Sequence, residues 1–214
     1  MTTVRRELAH PELLAVEVHG MTRQSFLLRG AIAAVSAYGA GAAGPFLARA
    51  LAQEGTRDVD IANFAYTLEL LEVTYYQDAL KEVRGLGGEA KRVAREIRDS
   101  EAEHIDILNA LVRQLGGIPA RKPKFDFGGA YGGQASFLSL AQTFEDTGVS
   151  AYSGAAPLVE SEDVLDTAGR IVQVEARHAA VIRFIRGEEI APAAFDKALE
   201  MKQVDTVLDR FIQS

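Results

Sequence analysis

The sequence contains no cysteine. This absence excludes disulfide bonds, iron–sulfur clusters, cysteine-ligated zinc and thiol nucleophiles, because each of them needs a cysteine sulfur. It does not identify a cellular compartment, since a chain without thiols tolerates reducing and oxidising surroundings alike. A metal site in this protein would therefore have to use oxygen and nitrogen ligands.

Basic residues are also outnumbered: 23 Lys and Arg stand against 30 Asp and Glu, which gives a formal net charge of −7 over 214 residues. Nucleic acids and anionic membranes bind proteins through a basic surface, so we expect neither as a partner. Hydrophobic residues make up 48% of the chain. That share excludes an intrinsically disordered protein and allows one domain with a real core.

Residues 1–52 differ from the rest and are predicted to be an N-terminal extension. An uncharged stretch rich in Ala and Gly, residues 30–48, follows an Arg-containing start at Met21–Arg29. This order is typical of an export signal, and the glycines make the stretch a poor membrane helix. We therefore expect export to the periplasm or cell envelope, with no stable membrane insertion after signal removal.

The extension resembles a twin-arginine signal, but Gln24 stands at the place of the second arginine. If Gln24 abolishes export, the protein is cytoplasmic. Two other interpretations remain open: an N-terminal helix that packs on the domain, or a translation start at Met21.

The remainder of the chain is predicted to be all-α, because apolar residues recur at spacings of three and four. We expect a four-helix bundle over residues 53–190 and a short helical tail over 191–214, with an amphipathic stretch at 195–211. Asp58 or Asp60 is expected to cap the first helix and Ser161 the last. The predicted helices span 58–84, 89–115, 136–158 and 162–186. No strand is predicted.

About twenty residues without periodicity separate the second and third predicted helices. At roughly 3.3 Å per extended residue they span about 60 Å, whereas a helix of about 26 residues is only about 39 Å long. The connection can therefore run the whole length of the bundle. Two antiparallel hairpins joined by one long crossover is the ferritin-like topology among helical bundles.

Two of the apolar stripes each contain one Glu-x-x-His pair. Glu101 and His104 interrupt the stripe of the second helix, and Glu175 and His178 interrupt that of the fourth. Residues three apart share a helix face, so each pair is predicted to point into the core.

The first and third helices each place a glutamate on the corresponding stripe, Glu69 and Glu145, within an internal repeat. A tyrosine follows each glutamate by seven residues, Tyr76 and Tyr152, and is expected to hydrogen-bond a buried carboxylate or to be redox-active. The repeat selects Glu69 rather than Glu72, because Glu72 aligns with glycine. Glu72 lies on the same helix face and is predicted either to support the ligand residues or to shuttle protons to the site.

Buried glutamates need positive charge nearby, because an unpaired buried carboxylate costs several kcal/mol. Arg98 and Arg177 adjoin the motifs but fall off the stripes by helical spacing. Two divalent cations would balance four glutamates, with both imidazoles neutral. We predict two ions of iron or manganese, with zinc as a substitute; a hydrogen-bonded polar layer that only sets helix register is the alternative.

The sequence contains twice a single Glu that is followed by a Glu-x-x-His pair. This repeated motif resembles the ligand motif of the ferritin-like superfamily. The phrases Asn63–Phe64–Ala65 and Tyr75–Tyr76, with the crossover Phe125–Asp126–Phe127, are most similar to its bacterial branch that includes desiccation-related proteins. The likeness covers about residues 58–186.

This resemblance implies that Glu101 and Glu175 bridge the two metals. It further implies terminal ligand pairs, which are Glu69 with His104 and Glu145 with His178.

The resemblance implies fold and metal more than a reaction. For a two-metal site the leading hypothesis is redox chemistry with O₂ or peroxide: ferrous oxidation, peroxide reduction or a manganese-type catalase reaction, in defence against oxidative or desiccation stress. The chain lacks the cysteines of the rubredoxin-like donor found in rubrerythrins, which leaves Fe²⁺ or peroxide as the electron source. One alternative is a non-catalytic stress or envelope protein whose metal is structural or inert. Another is an iron-storage cage, although the long N-terminal region and the tail after Pro192 would need space in a closed shell. A homodimer is left open.

Overall fold

The computed structural model describes residues 58–213, which form an all-α bundle with one minimal strand pair. The predicted export signal within residues 1–52 lies outside the described residues. The four-helix architecture is confirmed. Its long helices are α1 Asp58–Glu82, α2 Gly88–Gln114, α3 Gln134–Ala155 and α4 Glu162–Arg186.

The helices pair as two hairpins, α1 with α2 and α3 with α4, and the hairpins contact each other through α1 with α3 and α2 with α4. The crossover of residues 115–133 connects them. The backbone N–H of Gly87 donates to Oε1 of Gln134 at 2.7 Å, so α3 begins beside the α1–α2 turn. Since α2 ends at the other end of the bundle, the crossover traverses the bundle as predicted.

The connection between α3 and α4 differs from the prediction on the α3 side only. Helix α3 ends three residues early, at Ala155, and a 3₁₀ turn containing Pro157 follows, because proline lacks the N–H that an α-helix would need there. Asp58 begins α1, and its carboxylate accepts hydrogen bonds from the backbone N–H groups of Glu160 and Ser161. Ser161 caps α4 as predicted, accepting from the N–H of Val164 at 3.5 Å.

Two short strands correct the expectation that the chain has none. Lys124–Phe125 in the crossover pairs antiparallel with Ile212–Gln213 near the C-terminus. A strand of two residues is too short to show an alternation of apolar and polar side chains, so the sequence contains no signal that predicts it. The tail helix α5, Met201–Leu208, is also shorter than the predicted stretch.

Apolar side chains divide into two clusters, one toward each end of the bundle. The aromatic end lies by the α1–α2 turn and is built around Tyr75, Phe127, Phe137 and Phe144. The aliphatic end lies by the α3–α4 connection, and its members include Ile61, Ala62, Leu111 and Val164. Among residues 58–213, no helix is both long enough and apolar enough to cross a membrane.

The C-terminal tail is fixed to the bundle by close backbone contact. The N–H of Leu199 donates to the carbonyl of Ser150 at 2.9 Å, and Val204 and Leu208 of α5 are buried in the core. A Cβ at Gly154 would lie only 1.9 Å from the carbonyl oxygen of Leu199. Glycine at this position therefore lets the tail backbone lie against α3.

We expect Gly154→Ala to displace the tail, because a methyl group cannot occupy that space without backbone movement. The expected loss in unfolding free energy is about 1–3 kcal/mol, measured by urea denaturation, with faster proteolysis after residue 190. Gly169→Ala on α4 is the matched control. A Cβ there meets nothing within 4 Å, so alanine should stabilise the helix by about 0.5–1 kcal/mol. Equal effects of the two substitutions would contradict this account of the tail.

Candidate metal centre

Six side chains named from the sequence meet in the middle of the bundle. The four glutamates are 0% exposed, and the two histidines are 6% and 8% exposed. They come from all four long helices and lie between the two apolar clusters. The six are Glu69, Glu101, His104, Glu145, Glu175 and His178.

Helical spacing explains how α2 and α4 each bring two ligand-type side chains to one point. On α2, Glu101 and His104 lie between the buried Ile97 and Leu108. The stripe of α4 repeats the arrangement, with its Glu and His between buried isoleucines. Apolar neighbours anchor each stripe in the core, so the polar pair is carried inward with it.

The first group of ligand atoms surrounds the imidazole of His104. Its Nδ1 lies 2.8 Å from Oε2 of Glu101, 3.2 Å from Oε2 of Glu69 and 3.3 Å from Oε1 of Glu175. One ring nitrogen carries at most one hydrogen, so three such contacts cannot all be good hydrogen bonds. A cation between these atoms would satisfy all four at once.

The second group surrounds His178. Its Nδ1 lies 2.8 Å from Oε1 of Glu101 and 3.3 Å from Oε2 of Glu145. Although these atoms are close, all three lack a hydrogen-bond partner of acceptable geometry within the described part of the chain. Their lone pairs converge without aligning as donor and acceptor, which is the arrangement that metal ligands adopt.

Two carboxylates belong to both groups. Glu101 turns Oε2 toward His104 and Oε1 toward His178, and Glu175 offers a ligand atom to each group as well. The imidazole ring centres are 6.3 Å apart. Within each group the candidate ligand atoms lie within 4.8 Å of one another. The cluster is therefore compatible with a dinuclear metal site with two shared glutamates.

Two tyrosines hold the unshared glutamates from the opposite hairpin. The hydroxyl of Tyr152 on α3 donates to Oε1 of Glu69 on α1 at 2.5 Å, and the hydroxyl of Tyr76 on α1 donates to Oε1 of Glu145 on α3. Burial, reinforced by the nearby carboxylates, raises both phenol pKa values well above the ordinary one. Both hydroxyls therefore stay protonated and fix the second carboxylate oxygen toward the cluster.

Glu72 is a fifth buried carboxylate. It is 0% exposed, and neither of its oxygens has a hydrogen-bond partner in the described residues. Its repeat counterpart is Gly148, where a Cβ would lie 2.8 Å from Oε2 of Glu175 and 3.4 Å from Oε1 of Glu72. The glycine makes room for both carboxylates, so the repeat is asymmetric at this position.

Electrostatics require the cluster to hold positive charge in some form. Burial, with repulsion from Glu101, raises the pKa of Glu69 to about 8. Burial and repulsion also raise the pKa values of Glu72 and Glu175 well above normal. The two imidazoles overcome the burial of Glu101 and lower its pKa to about 2. Despite its own burial, His104 has its pKa raised to about 12 by the surrounding carboxylates. Without cations, protons therefore occupy the cluster, and metal binding would release them.

Comparison with known proteins agrees with this architecture. A family model described as "Ferritin-like domain" matches residues 57–188, a span that includes α1 to α4 and all six side chains. No curated protein compared with the chain matches it significantly. The likeness to the desiccation-related branch stays a prediction.

The metal-free protein should become less stable as pH rises from 5.5 to 8.5. Glutamates and histidines with raised pKa values keep protons in the folded state that the unfolded chain has released, so the unfolding free energy falls with pH. One proton of difference amounts to about 4 kcal/mol over three pH units, or roughly 8–16 °C in Tm for a domain of this size. The lowered pKa of Glu101 acts in the opposite direction, but only as pH falls below its usual value of 4.5.

Thermal unfolding of chelator-treated protein, followed by circular dichroism, measures this slope. Glu72→Gln removes one proton-holding carboxyl and should flatten the slope, whereas Glu103→Gln, an exposed change on α2, should not. A Tm that is constant or increases with pH would contradict the protonation scheme.

Proposed function

Because the chain belongs to the ferritin-like domain family, we propose that its buried cluster binds two divalent ions, iron or manganese, and reacts with O₂ or peroxide. The observation that carries this proposal is the convergence of buried carboxylate and imidazole atoms on two adjacent points, several of them without a hydrogen-bond partner in the described residues. Such atoms are too costly to bury without compensation. Divalent cations provide that compensation with the ligand types that iron and manganese accept.

The proposed ligand assignment follows the two groups. Glu101 and Glu175 would contribute to holding both ions, and each ion would also be held by one further glutamate and one histidine. Glu69 and His104 would complete one set, and Glu145 and His178 the other. Both histidines present Nδ1 to the cluster, so neutral imidazoles would bind through that atom.

The residues around the ions have separate tasks in this proposal. When bound, the ions would supply electron exchange with O₂ or peroxide. Tyr152 and Tyr76 hold Glu69 and Glu145 in place by donating hydrogen bonds. Glu72 keeps a proton on its carboxyl beside Glu175, because four glutamates already balance the charge of two divalent ions. The apolar stripes exclude bulk water from all of these groups.

Three reactions fit this site equally: oxidation of Fe²⁺, reduction of peroxide and disproportionation of peroxide. The chain has no cysteine, so Fe²⁺ or peroxide is the proposed electron donor. A second candidate function is metal binding without turnover, in a structural stress protein. This candidate function uses the same buried cluster. It differs from the enzyme in its response to metal removal, which would not abolish a reaction and could unfold the helices.

Metal stoichiometry tests the shared ligands. Glu101→Gln removes a carboxylate that both groups use, so we expect metal content to fall from two ions per chain to fewer than one. Glu69→Gln alters only one group and should retain the other ion. Elemental analysis after anaerobic loading with Fe²⁺, or loading with Mn²⁺, gives the count, and Glu103→Gln is the control on the same helix. Two ions bound by Glu101→Gln would show the assignment to be wrong.

Metal removal distinguishes catalysis from a structural role. For an enzyme we expect helical circular dichroism to persist after chelation, while Fe²⁺ oxidation, peroxide loss or O₂ evolution stops and returns on reloading. The protein without turnover should show none of the three reactions when loaded, and loss of helix on chelation would indicate a structural metal. Absorbance of ferric iron, peroxide consumption and an oxygen electrode separate the three reaction types.

A further inference from the structure

A small apolar cavity, partly open to solvent, lies at the aliphatic end of the bundle. Its volume is about 20 Å³, and all four long helices contribute to its wall. The lining residues that matter here are Ala62, Ala65, Leu68, Leu111, Tyr152 and Ala168. Most of the wall is alanine methyl and leucine, so the space exists because small side chains meet where larger ones would have filled it.

The cavity suits an apolar occupant. A buried water needs two to four polar partners, and the lining is almost entirely hydrocarbon. Tyr152 is the one lining residue with a polar side chain, and its hydroxyl already donates to Glu69. Water or hydrogen peroxide would lose hydrogen bonds on entry, whereas a diatomic gas has none to lose. The volume is enough for one molecule of that size.

One residue, Tyr152, both lines the cavity and contacts the carboxylate cluster. Its hydroxyl donates to Oε1 of Glu69 at 2.5 Å. Leu68, another lining residue, directly precedes Glu69 in the chain. A molecule in the cavity therefore lies next to the Glu69–His104 half of the cluster.

We infer that this cavity binds dioxygen and passes it to the Glu69–His104 side of the metal centre. The inference rests on the proposed function and narrows it, because it makes O₂ rather than peroxide the oxidant that enters through the aliphatic end. Peroxide, as a polar molecule, would reach the cluster by another route.

Xenon binding to metal-free, full-length protein tests the cavity without any redox chemistry. Xenon prefers dry apolar cavities, so ¹²⁹Xe NMR should show a saturable shift. Ala168→Leu fills the cavity and should abolish the shift. Ala180→Leu, a half-buried position on α4 outside the lining, should leave it unchanged. No saturable shift in the unmodified protein, or an unchanged shift in Ala168→Leu, would overturn the inference.

Reaction rates test delivery to the cluster. In protein loaded anaerobically with Fe²⁺, Ala168→Leu should slow the reaction with O₂ by about tenfold and that with peroxide by less than about twofold. Equal slowing of both reactions would overturn the inference.

If Ala168→Leu fails to fold, Leu111→Ala takes its place. This variant enlarges the cavity, so it should keep xenon binding and raise or preserve the rate of the reaction with O₂. Reaction with neither oxidant would refute the proposed function and O₂ delivery together, while the xenon result still decides whether the cavity binds gas.

Discussion

The structure depends on one electrostatic requirement: five glutamates are buried at 0% exposure in an apolar interior and must be neutralised there. Desolvation of each carboxylate opposes folding by several kcal/mol unless a cation, a proton or a donor group compensates it. The two imidazoles and two phenols compensate part of this charge. Protons or metal ions must supply the rest, so the charge state of the centre and the stability of the bundle are coupled.

An internal repeat supplies the glutamates and also the histidines and tyrosines that partly neutralise them. Each hairpin supplies one glutamate and one Glu-x-x-His pair, and each also sends a tyrosine to the glutamate of the other hairpin. The two hairpins are therefore linked through the centre as well as through packing. Each hairpin therefore receives from the other the hydrogen bond that orients its unshared glutamate. The repeat breaks at Glu72 and Gly148, where one hairpin adds a carboxylate and the other leaves space for it.

Much of this architecture was predictable from spacing. Glu101 and Glu175 are charged residues within otherwise apolar stripes, a local signal that survives in a single sequence, and the structure places both in the core. Features that depend on long-range contact were not predictable. Asp58 contacts backbone groups about a hundred residues away, and the strand pair joins two segments too short to have a period. Which glutamate each tyrosine would contact also depends on the packing of the two hairpins.

The two ends of the bundle are packed differently, and this makes the two halves of the centre inequivalent. Tyr76 contacts Glu145 and packs against Tyr75 and Phe137, at 5.6 and 5.9 Å between ring centres, in the dense aromatic end. Tyr152 contacts Glu69 and borders the cavity of the aliphatic end. The cavity borders Tyr152 and not Tyr76, so on the further inference above we expect a small molecule to approach the centre on the Glu69 side. The near-symmetric ligand set is therefore placed in an asymmetric protein, and the asymmetry lies in the second layer of side chains rather than in the ligands themselves.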